Sequence, residues 1–460
     1  MGRLLIGIGA ALALAALCAS AWSWATRNPQ GLELRALGEA AGQAYVYGYP
    51  LVLSDVTRRT MVHAPAPPGR PDFELNTLAH IRALPSPATT NVIRPNVDTL
   101  YSIAWLDLAA GPVELDLPAM GERYYLAQLL DAWTNTAAAP GTRLNGGAPG
   151  RYLITGPGGA AEAEPGQTLI RSPTSIAWII LRIETAGGDD ISRVHVLQDA
   201  VRLTGPTAAR PASPPGANRP PDQVAAMTPE AFFNALAELM ADNPAAPDDT
   251  GALADLASLG IEPGTSLDGS RFGPLARTAI ARGVETARKR LADAVLNRPA
   301  GWTVHTTALG RYGTDYALRA GVARIGLGAN WPEDAVYPSA SSDASGAGLH
   351  GDHAYRIRFA PGGLPPVNAF WSITVYDEAG YLSENTIDRY ALGDRDALQF
   401  DPDGSLTLYL QSEDPGPGQR ANWLPTPVGE NYALTARLYW PQDEVLRGDW
   451  RMPPIERVER

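Results

Sequence analysis

Two aspartates sit among residues able to do chemistry. Asp98 lies in NVIRPNVDTLYSIAWLDL (91–108) and Asp131 in RYYLAQLLDAW (123–133), each close to arginine and aromatic residues. Paired carboxylates at about 5 to 9 Å are the minimum equipment for glycoside-type acid–base chemistry. In that scheme Asp98 or Asp131 is acid or base, Arg123 clamps an anionic group, and Trp133 or Trp423 stacks on the ligand. Successive strand residues point to opposite faces, so Arg123, Tyr125, Ala127, Leu129, Asp131 and Trp133 share one face and Tyr124, Leu126, Gln128 and Leu130 the other. A face of that composition reads either as a ligand wall or as a salt-bridged sheet face. An arginine neighbour is expected to lower the pKa of Asp131, which suits a base or an ion pair. In the 91–108 stretch, Pro95 is expected to push Arg94 to an extended conformation, and Asn96 and Asp98 can close Asx turns. Beyond that loop, Tyr101, Ile103 and Trp105 line one strand face and Leu100, Ser102 and Ala104 the other.

Other chemistries are excluded by what is scarce. Lys289 is the only lysine, and no G-x-x-x-x-G-K-[ST] occurs, so Schiff-base and Walker-type phosphate chemistry have no basis. Cys18, the only cysteine, lies in the first apolar run, which leaves the body of the chain without a thiol nucleophile or a disulfide. Neither G-x-S-x-G nor a strand-linked G-x-G-x-x-G is present. Asp343 and the LHGDH segment (His350, Asp352, His353) have the spacing of a metal loop but also of a polar hairpin. With no third separated histidine, no metal centre and no cofactor is expected. A net charge of −12 supplies no basic stripe, so nucleic acid is not a partner.

The positioning elements follow from length and periodicity. At 460 residues, 45% apolar, the chain exceeds one core and predicts two or three units. Residues 4–24 form an apolar run after Arg3 with a small-residue A-S-A motif. This reads as a cleaved signal peptide within residues 1–25, giving a periplasmic or secreted protein, or alternatively as an inner-membrane anchor. Residues 32–62 read as helix until Gly48 and Pro50 break the pattern. Residues 32–205 form the first domain, with period-two strands from about 75 such as Val113, Leu115 and Leu117; residues 206–225 are a proline-rich linker. Residues 226–300 are helical: Thr228 caps a helix with Pro229 at its first position, and a second helix runs from Pro274 to Asn297. Residues 301–460 return to strands, with DEAG (377–380) and DPDG (401–404) as type I turns. The fold class is mainly β with helices (α+β), two antiparallel sandwich or jelly-roll-like domains joined by a helical segment.

These motifs carry a family resemblance. Tyr45, Tyr47, Gly48, Tyr49 and Pro50 with NVDTLYSIAWLDL, RYYLAQLLDAW and SPTSIAW resemble the domain of unknown function 1254. RYGTDYALRA, LGAN, AFWSITVYD, ENTIDRYAL, NWLPTP and RLYWP resemble its companion, the domain of unknown function 1214. The resemblance spans nearly all of residues 40 to 460 and implies a two-domain, mostly β bacterial protein, often exported, without a settled reaction. It marks Asn96, Asp98, Tyr101, Arg123, Tyr124, Asp131 and Trp133 in the first domain, and Asn330, Tyr337, Trp371, Asn385, Arg389, Tyr390, Asn422, Trp423, Arg437 and Tyr439 in the second.

The functional expectation is an envelope protein that binds a polar small molecule or saccharide, and could process it, in a pocket of arginine, aspartate and aromatic residues. Asp98 and Asp131 are its candidate catalytic groups; Asn96, Tyr101, Arg123, Tyr125, Trp133, Trp371 and Trp423 are its candidate ligand contacts. A carboxylate-dependent periplasmic hydrolase or lyase and a noncatalytic interaction module are the alternatives.

Overall fold

The computed structural model describes residues 29–64, 73–90, 92–265, 267–293 and 301–459. The signal or anchor expected at residues 1–25 lies outside these. Among the described residues no helix is long and apolar enough to cross a membrane.

The first element is α1 (Pro29–His63), a single helix that runs through Gly48 and Pro50. The expected break does not occur, because α1 is held from several sides. Tyr45, Tyr47, Tyr49, Leu51, Val52 and Leu53 are all buried, and their packing outweighs the one backbone donor that Pro50 lacks. Gly48 is there for close approach: a Cβ would stand 2.4 Å from Leu236 Cδ2.

The first β domain contains β1 (Ala79–Ile81), β2 (Thr99–Asp107), β3 (Val113–Leu117), β4 (Tyr125–Asp131), β5 (Thr136–Ala138), β6 (Gly150–Thr155), β7 (Thr168–Arg171), β8 (Ile176–Glu184) and β9 (Arg202–Thr204). Two short helices, α2 (Thr142–Asn145) and α3 (Asp190–Ala200), are set among them. A sheet ordered β1-β2-β8-β4-β5 lies over one ordered β7-β6-β3-β9, antiparallel except for the β6–β7 pair. Leu106, Val113, Leu115, Tyr125, Leu129, Ile154, Ile179 and Leu181 fill the space between them. Val113, Leu115 and Leu117 point inward while Glu114 and Asp116 remain half-buried, as the alternation requires.

The 205–221 segment is not a free linker. Its backbone carbonyls cap the end of α1, with Arg59 Nε donating to Ala212 O (2.9 Å) and His63 Nε2 meeting Pro211 O (2.8 Å). The helical layer follows as α4 (Pro220–Ala226), α5 (Pro229–Asp242), α6 (Thr250–Ser258), α7 (Pro274–Asp293) and α8 (Tyr316–Gly326), all packed on α1. Thr228 caps α5, its hydroxyl accepting from Ala231 N at 3.2 Å. This layer covers one end of the first sheet, at Trp105, Trp133 and Trp178.

The second β domain comprises β10 (Ala335–Val336), β11 (Ser339–Ala340), β12 (Ala354–Phe359), β13 (Trp371–Asp377), β14 (Ala391–Gly393), β15 (Leu406–Gln411), β16 (Trp423–Pro425), β17 (Tyr432–Tyr439) and β18 (Ile455–Val458), with α9 (Asp443–Arg447) before the last strand. One sheet is ordered β10-β17-β13-β14, with β11 also on β17, and the other β16-β15-β12-β18. Ile357, Phe359, Trp371, Ile373, Leu408 and Leu434 lie between them. The two expected turns are present, with Gly380 (φ 89°) and Gly404 (φ 82°) donating to Asp377 O and Asp401 O. The fold is thus α+β, with helices forming a layer of their own as well as joining the two β domains.

Candidate functional site

Alternation gives each sheet two faces, and here the more polar faces of two sheets meet. On the first sheet Tyr101, Arg182 and Leu126 are cross-strand neighbours on β2, β8 and β4, so Tyr101, Arg182, Tyr124 and Gln128 share the face turned away from the sandwich core. On the second sheet Trp371, Ile373 and Val375 enter the core while Ser372, Thr374 and Tyr376 face outward beside Thr435, Arg437 and Tyr439 of β17. Between these faces runs the 92–98 loop.

Every polar member of that loop reaches across to the second domain. Arg94 N donates to Gly380 O (2.8 Å), Tyr376 OH to Pro95 O (2.7 Å), and Arg437 Nη2 to Arg94 O (3.1 Å). These bonds hold Arg94 at φ 53°, so it is not extended as Pro95 alone would dictate. Asn96 closes the expected Asx turn, accepting from Asp98 N at 2.8 Å. Its amide donates to Tyr101 OH (3.0 Å) and to Tyr439 OH (2.9 Å). Asp98 closes no turn with its own carboxylate. It is 1% exposed and ion-paired to Arg395, and it accepts from Ser372 Oγ (2.7 Å) and Tyr439 OH (3.3 Å).

Arg182 and Arg437 are partnered differently from Arg395. Both are buried, and Arg182 donates to Gln128 Oε1 (2.8 Å) and Gly328 O (3.2 Å), while Arg437 donates to Thr374 Oγ1 (2.8 Å), Tyr376 OH (2.6 Å) and Arg94 O. All of these acceptors are neutral. Among the described residues no carboxylate forms an ion pair with either, the Asp98 carboxylate being taken by Arg395. The Arg182 guanidinium stands 5.5 Å from the Tyr101 ring. Burial pushes the Tyr101 phenol up, but Arg182, the Asn96 amide and Arg437 more than offset it and hold the group below its ordinary value. Tyr337, where burial dominates, is pushed up to about 12. Tyr101, Tyr337 and Asn96 are each half-buried. Asn330 donates to Tyr337 OH at 2.7 Å, and its own oxygen has no donor.

The remaining candidate residues lie elsewhere. Asp131 and Asp98 are not a carboxylate pair: Asp131 is in register with Ala177, and Thr99, next to Asp98, with Glu184. At ~3.3 Å per residue along β8, with Asp98 opposite Thr185, the two are roughly 26 Å apart. Asp131 fixes the β4–β5 turn, accepting from Asn135 N (2.8 Å) and Asn135 Nδ2 (3.0 Å). Its pKa is pushed up to about 6 by burial, not lowered: Asn135 and Arg319 act in the lowering direction but do not compensate. Beside it Arg319, 2% exposed, lies 5.2 to 5.3 Å from the rings of Tyr47, Trp133 and Tyr316. The Trp133 indole donates to Pro244 O at 3.1 Å. Arg123 forms a fork with Asp190 at 2.7 Å on each arm, and that hydrogen-bonded pairing holds Asp190 down at about 2. The proposed Arg123–Trp133 wall is therefore not one surface: Tyr125, Ala127 and Leu129 belong to the sandwich core. Trp371 packs in the second core with Phe359 (5.5 Å), and Trp423 donates to Gln411 O at 2.8 Å. Asn385 and Arg389 fix loops, with Arg389 Nη1 donating to Arg420 O and Trp423 O, each at 2.8 Å. Among the described residues His350, Asp352 and His353 gather no metal-ligating set.

Of the expected site residues, then, Asn96, Asp98 and Tyr101 converge at the seam. Gln128, Arg182 and Arg395 join them without having been singled out. A signal existed for Arg182, a lone arginine in the apolar strand IAWIILRIE; such a residue needs buried acceptors. An open depression along α7, at Pro274, Arg277, Thr278 and Ala281, is only the outer face of that helix.

Comparison with known proteins agrees with this division. Residues 75–205 match the family model "Protein of unknown function (DUF1254)" and residues 334–443 match "Protein of unknown function (DUF1214)". No curated protein matches. The crystal structure of the VPA0106 protein from Vibrio parahaemolyticus is similar over 92% of this chain and 100% of its own, with a TM-score of 0.69 at 22% identity, which places the two in one fold. An uncharacterized Burkholderia cenocepacia protein aligns over 93% of this chain and 94% of its own at 13% identity, with a TM-score of 0.45.

Proposed function

The chain belongs to the proteins in which a DUF1254 domain precedes a DUF1214 domain, a family name that carries no reaction, and from the geometry we propose that it binds a polar small molecule or saccharide at the seam between them. The observation that carries this reading is that Tyr101 and Tyr337 are only half-buried where the two donor-rich sheet faces meet, beside the buried guanidinium groups of Arg182 and Arg437. Ligand sites favour such domain junctions, where convergent polar groups fix orientation. Asn96, Tyr101 and Tyr337 are the contacts. Asp98 is a positioning residue, since its carboxylate already serves Arg395, Ser372 and Tyr439. An exported, envelope setting belongs to the same proposal and rests on the N-terminal run alone. The noncatalytic, structural alternative is favoured by how fully Asp98 is engaged.

Thermal melting of the full chain against saccharides and organic acids tests the proposal. A ligand at a hundredfold its Kd stabilises by about 2.7 kcal/mol, a shift on the order of 3 °C for a chain of 460 residues unfolding as one unit. Tyr101→Phe and Tyr337→Phe should each reduce that shift, read against each variant's own unliganded melt, because each also takes an acceptor from an amide donor, of Asn96 or Asn330, at a cost of about 1 kcal/mol. A panel without response, or a response indifferent to both substitutions, refutes binding at the seam.

A further inference from the structure

The charges at the seam do not close. Three guanidinium groups, those of Arg182, Arg395 and Arg437, converge there with the Asp98 carboxylate, which is committed to Arg395. Arg182 is 7% exposed and Arg437 4%, and their bonds go to an amide, a hydroxyl, a phenol and backbone carbonyls. Taking a guanidinium out of water costs several kcal/mol unless an anion compensates it. Asp98 also acts on Arg437 from a distance, but it is one carboxylate for three guanidinium groups, and neutral acceptors satisfy the N–H groups without cancelling the remaining charge.

Resting on the seam-binding reading above, we infer that the ligand is an organic anion, a small carboxylate-bearing molecule, received by Arg182 and Arg437 with the Tyr101 hydroxyl between them. The planar fork of a guanidinium matches a carboxylate edge to edge. Both arginines already act on Tyr101, whose phenol they bias toward the anion. What stabilises a phenolate at this point also stabilises a carboxylate. The same two arginines act on Tyr337 as well, so their positive charge bears on both half-buried phenols of the seam. The orphaned Asn330 oxygen beside Tyr337 leaves one further polar end of the seam unmatched. That favours a carboxylate that also carries a hydroxyl, as in a hydroxy acid or a sugar acid.

Isothermal titration of the full chain with charged and neutral twins tests this: glucuronate against glucose, and glycerate against glycerol. The acids should bind saturably and their neutral twins at least tenfold more weakly. Arg182→Gln should cost roughly 100-fold in affinity for the acid, the worth of a charge-assisted fork. Because that variant could fail to fold, Tyr101→Phe is measured beside it; it should weaken the acid by about tenfold, one hydrogen bond to a charged group. Binding of the neutral twins as tight as the acids overturns the anion inference while seam binding stands, provided Tyr101→Phe still weakens them. If neither acids nor neutral twins bind, both readings fall.

Discussion

Removing the Asp98 carboxylate is the sharpest test of the seam. Asp98→Ala deletes three contacts at once: the ion pair to Arg395 and the acceptors of Ser372 Oγ and Tyr439 OH. Breaking a buried pair on one side costs about 3–5 kcal/mol, because the partner charge is left uncompensated. Arg395 is 21% exposed along its side chain, still donates to Thr185 O at 2.7 Å and rests 4.0 Å from the Phe370 ring. Its loss is therefore softened. Ser372, at 1% exposure, has no such recourse, and an orphaned buried hydroxyl costs about 1 kcal/mol or more. Together these place the cost near 3–4 kcal/mol, a fall in Tm on the order of 4 °C for 460 residues unfolding together. Because the lost bonds join the two β domains, the one transition expected of coupled domains should also broaden or split in calorimetry. Adding Arg395→Met to Asp98→Ala should recover at least about 1 kcal/mol by removing the stranded charge. A cost below about 1 kcal/mol, the size of a surface ion pair, with an unchanged transition, would refute the view that this network couples the domains.

Three further outcomes follow from local geometry. Gly283→Ala sets a Cβ 1.9 Å from Gly38 O where α7 crosses α1, so the helices must part; a loss of about 1–3 kcal/mol is expected in urea titration. Asp131 ionises near 6 in the folded state against an ordinary value of 3.8, so its contribution is fully present below pH 3.8 and is lost as pH rises through about 6. Its removal by Asp131→Asn should flatten stability between pH 4 and 6 by roughly 3 kcal/mol, measured by urea unfolding across that range. Asp190, held at about 2, acts oppositely and only at lower pH: its stabilisation is present above 3.8 and is lost as pH falls through about 2. Thr228→Ala removes the cap on α5 and should cost about 1 kcal/mol.

Much of the organisation was readable in one dimension, since the signals are local. The period-two runs around Val113 and Leu406 become strands, Gly380 and Gly404 close their turns, Thr228 opens its helix, and the two families are legible in their motifs. Tyr101, Ile103 and Trp105 share a face as alternation requires. Where the local signals gave out, long-range packing had taken over. Pro50 does not end α1 because the surrounding helices supply more than one hydrogen bond's worth of burial, and Arg94 adopts a left-handed backbone because Gly380 and Arg437 hold it from another domain.

The candidate site divides the same way. Of the residues singled out by type and spacing, Asn96, Asp98 and Tyr101 meet at the seam, and alternation holds within β4 but not out to Arg123 and Trp133. Which face mattered was beyond periodicity: Tyr125 and Leu129 fill the sandwich, while Gln128 and Tyr124 meet the second domain. A polar strand face looks the same in sequence whether it meets water or another polar sheet. Ser372 and Thr374 are by type alone indistinguishable from solvent-facing positions, and it is the packing of the two domains that buries them. It also parted Asp98 from Asp131 along β8 and gathered three arginines around one carboxylate, because register and domain contact join residues hundreds of positions apart that no local spacing can relate.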